Sequence, residues 1–238
     1  MKDIPIFILN LDRFEVTKML VESLQKRNYN NITIVDNLST YPPLLEWYPK
    51  SGVEVFINNV SMTCNGALYR LAFEHKLDRF LKPIMAGPYV WTDSDTIPVD
   101  EVPEDFLEDL AEVVNKHQKH KVGMGIKLDD LPDTFYKKQE VINHESIFWG
   151  RLGTIEGEKM PVYIGPTDTT FCVYRQGTHP LQGNTATGIR SGAPYLVKHI
   201  PWYYDYDNLP EDELYYLQHL KVNWTHWSEH AKHKLGIG

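Results

Sequence analysis

Tyr89-Val90-Trp91-Thr92-Asp93-Ser94-Asp95-Thr96-Ile97-Pro98 is the stretch on which the fold turns. Strand-forming residues run directly into two carboxylates separated by one small serine. A strand end is where an α/β sheet presents side chains to a ligand crevice. Adjacent carboxylates repel, so such a pair usually shares a cation or a proton. Oxygen donors of this kind suit Mg²⁺ or Mn²⁺, ions that commonly hold nucleotide phosphates. Asp93 and Asp95 are therefore a candidate metal–diphosphate site, to which Ser94 contributes only its small size. The plainer reading of the pair is an acidic turn capping the next helix.

Working outward, three strand–helix units precede this motif. Ile4 to Leu9 is a continuous apolar run, as expected of a strand buried on both faces. Phe14 to Arg27 has helical spacing, Ile32 to Val35 is a second strand closed by Asp36-Asn37, and Val53 to Ile57 is a third. Cys64 to Leu81 reads as one helix with Leu68, Leu71, Ala72 and Leu77 on one side. This alternation implies an α/β fold with a Rossmann-like, mostly parallel central sheet flanked by helices and joined by right-handed crossovers. Downstream, Pro103 to His117 and Pro210 to Lys221 are expected helices, with a further helix over Tyr136 to Phe148. Val122 to Leu128, Val162 to Ile164, Phe171 to Tyr174 and Tyr195 to Val197 are expected strands. Gln176 to Gly192 is glycine-rich with little apolar content and reads as a loop and a candidate mobile lid. No repeat or linker divides the chain, so one domain is expected, with a nucleotide-binding half over 1–100 and an acceptor-side half over 101–238.

Composition narrows the function classes. A chain of 238 residues with 42% hydrophobic content can build a substantial core, which excludes a disordered chain. A formal net charge of −8 argues against a nucleic-acid partner, because backbone phosphates require a cationic surface. It leaves room for a nucleotide, which needs only a local metal or a few basic groups. No run approaches the ~20 apolar residues of a membrane span. The start, Met1-Lys2-Asp3-Ile4-Pro5, lacks the apolar region and cleavage site of a signal peptide, so a cytoplasmic location is expected. Cys64 and Cys172 are too few for a disulfide framework and are expected to be reduced, buried thiols.

Several residues sit where a nucleotide site on this fold would need them. Asn10, Asp12 and Arg13 follow the first strand, and Asp36 and Asn37 close the second. A carboxylate such as Asp36 can accept hydrogen bonds from uracil N3–H or ribose hydroxyls; an ordinary strand-ending turn is the alternative. Asn65-Gly66 opens the helix before the metal strand, where backbone can approach a base or ribose. His199 falls at a strand end, where a neutral imidazole can complete a metal shell or simply sit in the core. Arg190 and Lys198 are candidate diphosphate contacts. A general base for an acceptor hydroxyl would be Asp168 or, failing that, Glu145. Trp149, Trp202, Tyr203 and Tyr204 could stack on a sugar face or fill the core.

Together these features resemble the GT-A nucleotide-sugar glycosyltransferases. The blocks "DTTFCVYR" (Asp168 to Arg175) and "PYLVKHIPWY" (Pro194 to Tyr203) are similar to blocks in a small group of bacterial and viral glycosyltransferase-like sequences. The resemblance implies a single GT-A-like domain that uses Mn²⁺ or Mg²⁺ and a nucleoside-diphosphate sugar, UDP-linked, with a glycan or other hydroxyl acceptor as partner. It further implies that Asp93 faces the ribose or the metal, that Asp95 binds the ion directly and that His199 contributes to the metal shell. Asp93-Ser94-Asp95-Thr96 also fits a haloacid dehalogenase-like phosphatase, whose motif normally follows the first strand of its domain. A non-catalytic sugar-binding relative would keep the aromatic residues and lose the metal.

Overall fold

The computed structural model describes residues 2–59, 64–167, 171–179, 188–220 and 226–237, with only the backbone of Cys64, Asn65, His226 and Trp227. Strand β1 (Ile6–Asn10) and β2 (Ile32–Asp36) are buried at every position. With β3 (Glu54–Ile57) and β4 (Tyr89–Asp93) they form a parallel block in the order β3-β2-β1-β4. Alternation along β1 separates two apolar layers. Ile6 and Ile8 join Leu20, Val21 and Leu24 of α1 (Glu15–Lys26), together with Phe106, Leu110 and Val114 of α5 (Phe106–Lys116). Phe7 and Leu9 join Leu68 of α3 (Cys64–Tyr69) and Phe80 and Ile84 of α4 (Asp78–Ala86). Burying each such side chain is worth about 1.5–3 kcal/mol, which is why the doubly covered strands read as unbroken apolar runs.

The sheet does not stop at β4. It continues through β10 (Cys172–Tyr174), β6 (Lys121–Gly123), β11 (Ile189–Ser191), β9 (Val162–Ile164) and β8 (Thr154–Ile155), giving nine strands. In this second half only the β11–β6 pair is parallel. The molecule is thus a single α/β domain whose sheet is parallel over β3 to β4 and mixed beyond, and the two expected halves share that one sheet. Short α2 (Pro42–Trp47) covers the β2–β3 connection, and α6 (Lys138–Ser146), α7 (Glu211–His219) and α8 (His226–Leu235) complete the helices.

Three local expectations are corrected. The long helix over Cys64 to Leu81 ends in a π-turn at Arg70–Glu74, and Leu77 is extended before α4 begins. Pro83 argues locally against α4, but burial of Phe80 and Ile84 one turn apart outweighs it. The strand over Val122 to Leu128 is split, with β6 in the large sheet and β7 (Gly125–Ile126) in a small sheet ordered β5 (Thr96–Pro98), β12 (Leu196–His199), β7. Gly125 makes the crossing possible, since a Cβ there would lie 2.5 Å from the Ser191 carbonyl oxygen and 2.8 Å from Trp149 Cη2. Finally, part of the expected lid is core: Ile189, Arg190 and Ser191 are buried, with Ile189 and Arg190 paired on both sides and Ser191 paired to β9. Residues 180–187 of that segment lie outside the described residues. Among the described residues, no helix is long and apolar enough to cross a membrane.

Candidate functional site

The helices of the parallel block fix where a ligand crevice lies. α1, which connects β1 to β2, packs on one face; α3 and α4, which connect β3 to β4, pack on the other. The strand order reverses between β1 and β4: β1 leads to β2 on one side and β4 leads on toward β6 on the other, the arrangement that opens a crevice at the carboxyl ends of the strands. Register places Asn10 opposite Asp36 and Leu9 opposite Asp93, so three expected site residues close three neighbouring strands.

Asn10, Asp12, Asp36 and Asn37 are all buried there, in a connected polar network. The Tyr48 hydroxyl donates to Asp36 Oδ2 at 2.5 Å and accepts from Asn10 Nδ2 at 3.1 Å. The Ser39 backbone N–H donates to Asp36 Oδ1 at 2.9 Å, and the Asp12 backbone N–H donates to Ser39 Oγ at 2.8 Å. Asp12 Oδ1 accepts from the Tyr41 backbone N–H at 2.9 Å, and Asn37 N–H donates to the Asn10 carbonyl at 2.8 Å. Burial and the neighbouring Asp36 charge push the Tyr48 hydroxyl well above its ordinary range, so it stays a donor. Asp36 and Asp12 thus organise the loops after β1 and β2, and each Asp36 oxygen already has a donor from the chain. Ser94 does more than take up little space: its Oγ donates to Asn10 Oδ1 at 2.9 Å, tying the acidic motif to the end of β1.

Asp95 sits one turn further out. The small sheet builds its surroundings, because β12 (Leu196–His199) pairs with β5 (Thr96–Pro98) so that His199 stands opposite Thr96. The Ile200 N–H donates to the Asp95 carbonyl at 2.9 Å, closing this junction. Asp95 Oδ2 meets the Arg13 guanidinium and lies 3.4 Å from His199 Nε2. Arg13 also grips Glu213 of α7 with two bonds, Nε to Oε2 at 2.7 Å and Nη2 to Oε1 at 2.9 Å, beneath the ring of Tyr216. Burial works to raise the Asp95 pKa, but His199 and Arg13 outweigh it and hold the carboxyl below its usual range. Burial, with Arg13 adding repulsion, lowers His199 despite the attraction of Asp95. The imidazole Nδ1 is buried with no partner among the described residues. Asp93 belongs to the same field: the Tyr216 hydroxyl is pushed up to about 12 by burial and by Glu213, Asp95 and Asp93, against Arg13.

The chemistry of this donor set fits a divalent ion held largely by its substrate. Two ligands about 2.1 Å from one octahedral ion stand roughly 3 Å apart, close to the Asp95–His199 separation. Asp95 and Glu213 share the single guanidinium of Arg13, two carboxylates on one cation, leaving a deficit that a further cation matches. Among the described residues no three His, Cys, Asp or Glu side chains form a cluster able to hold an ion alone. Phosphate oxygens and water would complete the shell, as is common for Mg²⁺.

The remaining expected residues lie elsewhere. Glu145 and Arg190, read separately as a base and a diphosphate contact, are instead each other's partner: Arg190 Nη1 meets Glu145 Oε2 at 2.7 Å, with both residues buried. Arg190 Nε also donates to the Pro166 carbonyl at 2.7 Å, and Phe148 covers the guanidinium. Lys198 precedes His199 in a strand and so faces away from it, pairing with Asp130 Oδ2 at 2.7 Å. Trp202 is buried, 4.5 Å from the His199 ring between centroids, and Tyr203 donates to Asp130. Asp168 and the side chain of Asn65 lie outside the described residues. Sequence reasoning missed Tyr48, Ser39, Asp212, Glu213 and Tyr216; only the acidic start of α7, Glu211-Asp212-Glu213, offered a signal. Compared with known proteins, the chain matches no family model and no curated protein.

Proposed function

We propose that this chain is a glycosyltransferase of GT-A type, moving a sugar from a UDP-linked nucleoside-diphosphate sugar to a hydroxyl acceptor, a glycan. The observation that carries the reading is Asp95, buried beyond the end of β4 with the His199 imidazole 3.4 Å from one oxygen, inside the crevice opened between β1 and β4. Asp93, Asp95 and His199 would hold Mn²⁺ or Mg²⁺, which when bound neutralises charge developing on a departing diphosphate. The chain's own part is to keep Asp95 ionised through His199 and Arg13, and to hold the strand ends in one geometry through Asn10, Ser94 and Tyr48. Glu145 is committed to Arg190, so Asp168 remains the proposed base for the acceptor. A phosphatase would need Asp95 as a proton donor, and a carboxyl held below its usual range serves that role poorly. A cytoplasmic location is part of the same proposal.

The test is a thermal-shift screen of UDP-, GDP-, CMP- and dTDP-sugars with and without Mn²⁺. One donor at a hundred times its dissociation constant should raise Tm by about 5–10 °C, and only with Mn²⁺. Asp95→Asn should abolish that shift and reduce turnover by about 10²–10³-fold. No shift with any donor, or full Mn²⁺-dependent turnover by the variant, would refute the reading.

A further inference from the structure

We propose that Glu213 is a positioning residue: it holds and neutralises Arg13, so that Asp95 keeps its charge for a cation. The inference rests on the reading of Asp95 as an ion ligand. A guanidinium facing one buried carboxylate would form a closed, neutral pair, and an arriving cation would have to break it. Here Arg13 is shared. Its Nε and Nη2 edge belongs to Glu213, whose side chain is 3% exposed, and only Nη1 reaches Asp95. Two carboxylates on one guanidinium leave one negative charge uncompensated, and it lies at the crevice.

α7 is built to hold that arrangement still. Tyr216 lies three residues beyond Glu213, on the same side of the helix, and puts its ring 4.0 Å from the Arg13 guanidinium carbon. Asp212, beside Glu213, accepts from the Phe14 and Glu15 backbone N–H groups at 2.9 and 2.8 Å. It thereby caps α1, whose own N-terminal residue makes no side-chain cap. The first turn of α7 is fastened to the β1–α1 junction at the two residues that follow Arg13, which leaves Arg13 one position. A carboxylate brought 200 residues along the chain to an arginine that already has a partner is explained by this division of charge.

Mn²⁺ binding to the full chain, followed by electron paramagnetic resonance, tests the proposal. Glu213→Gln keeps shape and one acceptor while removing the charge; it should weaken Mn²⁺ binding about tenfold, as Arg13 turns wholly to Asp95. The double variant Arg13→Gln/Glu213→Gln restores the charge balance and should bind within about threefold of wild type. Wild-type affinity in Glu213→Gln, or a double variant no better than the single one, would overturn the proposal. A purely structural role would lower Tm without this rescue. If Glu213→Gln does not fold, the double variant decides alone, since the proposal requires near wild-type affinity there. If wild-type protein takes up no Mn²⁺, the ion reading fails by itself, and a crystal structure of Glu213→Gln then decides the positioning role. Arg13 moved further onto Asp95 supports it; Arg13 unmoved rejects it.

Discussion

Around the ends of β1 and β2, buried polar groups are chained together: Ser94 to Asn10, Asn10 to Tyr48, Tyr48 to Asp36, and Asp36 to the Ser39 amide. Around β9, β11 and α6, one carboxylate, Glu145, answers one guanidinium, Arg190. Near that pair Thr167 Oγ1 and Trp149 Nε1 are buried without a partner among the described residues. The first region spreads its demand over neutral donors from several loops, so losing one bond leaves the others in place. The second concentrates full charge in a single contact, and a buried ion left alone is far more costly than a buried hydroxyl left alone. The network at the ends of β1 and β2 is consequently built to tolerate change where the Glu145–Arg190 pair is not.

The sharpest way to break this contrast is Glu145→Ala. It strands Arg190 in an environment where the side chain is 6% exposed, and should cost about 3–5 kcal/mol in urea unfolding. A loss under 1 kcal/mol would show that the pair does not support the mixed half. Tyr48→Phe is the matching cut in the network. It removes one donor from Asp36 and one acceptor from Asn10 but leaves the Ser39 and Ser94 bonds, for an expected loss of about 1–3 kcal/mol. Equal losses for the two variants would erase the distinction between the regions.

The same contrast runs through what could be read from the sequence. The parallel half was legible because IFIL and ITIV can only be buried runs, and their carboxyl ends name the crevice residues Asn10, Asp36 and Asp93. Alternation along β12 also turns Lys198 away from His199, so the two do not face one diphosphate. Tertiary contacts hid the rest. β11 lies within a glycine-rich stretch and becomes a strand only because β6 and β9 flank it. Glu145 and Arg190 each looked like free chemistry until folding made them partners. No local pattern joins Arg13 to Glu213, since their pairing depends on where α7 docks.

An exposed pair supplies the mildest comparison. Asp130 bonds Lys198 at 2.7 Å and accepts from Tyr203, with the two charged side chains each 35% exposed. Partial burial works to raise the Asp130 pKa, but the bonds from Lys198 and Tyr203 prevail and hold it below the ordinary carboxylate value. A carboxyl with a depressed folded pKa stabilises fully above its unfolded pKa of about 3.9, and loses that contribution as pH falls through the folded value. Asp130→Asn should therefore cost about 0.5 kcal/mol or less at pH 7, discounted for solvent screening. The gap between wild type and variant should shrink as the pH drops below about 4 and close under more acidic conditions. It should also narrow in high salt, because an exposed pair is screened where the buried Glu145–Arg190 pair is not. Parallel urea titrations at pH 7 and pH 3 measure this directly, and a gap that widens on acidification would mean the Asp130 carboxylate destabilises the fold.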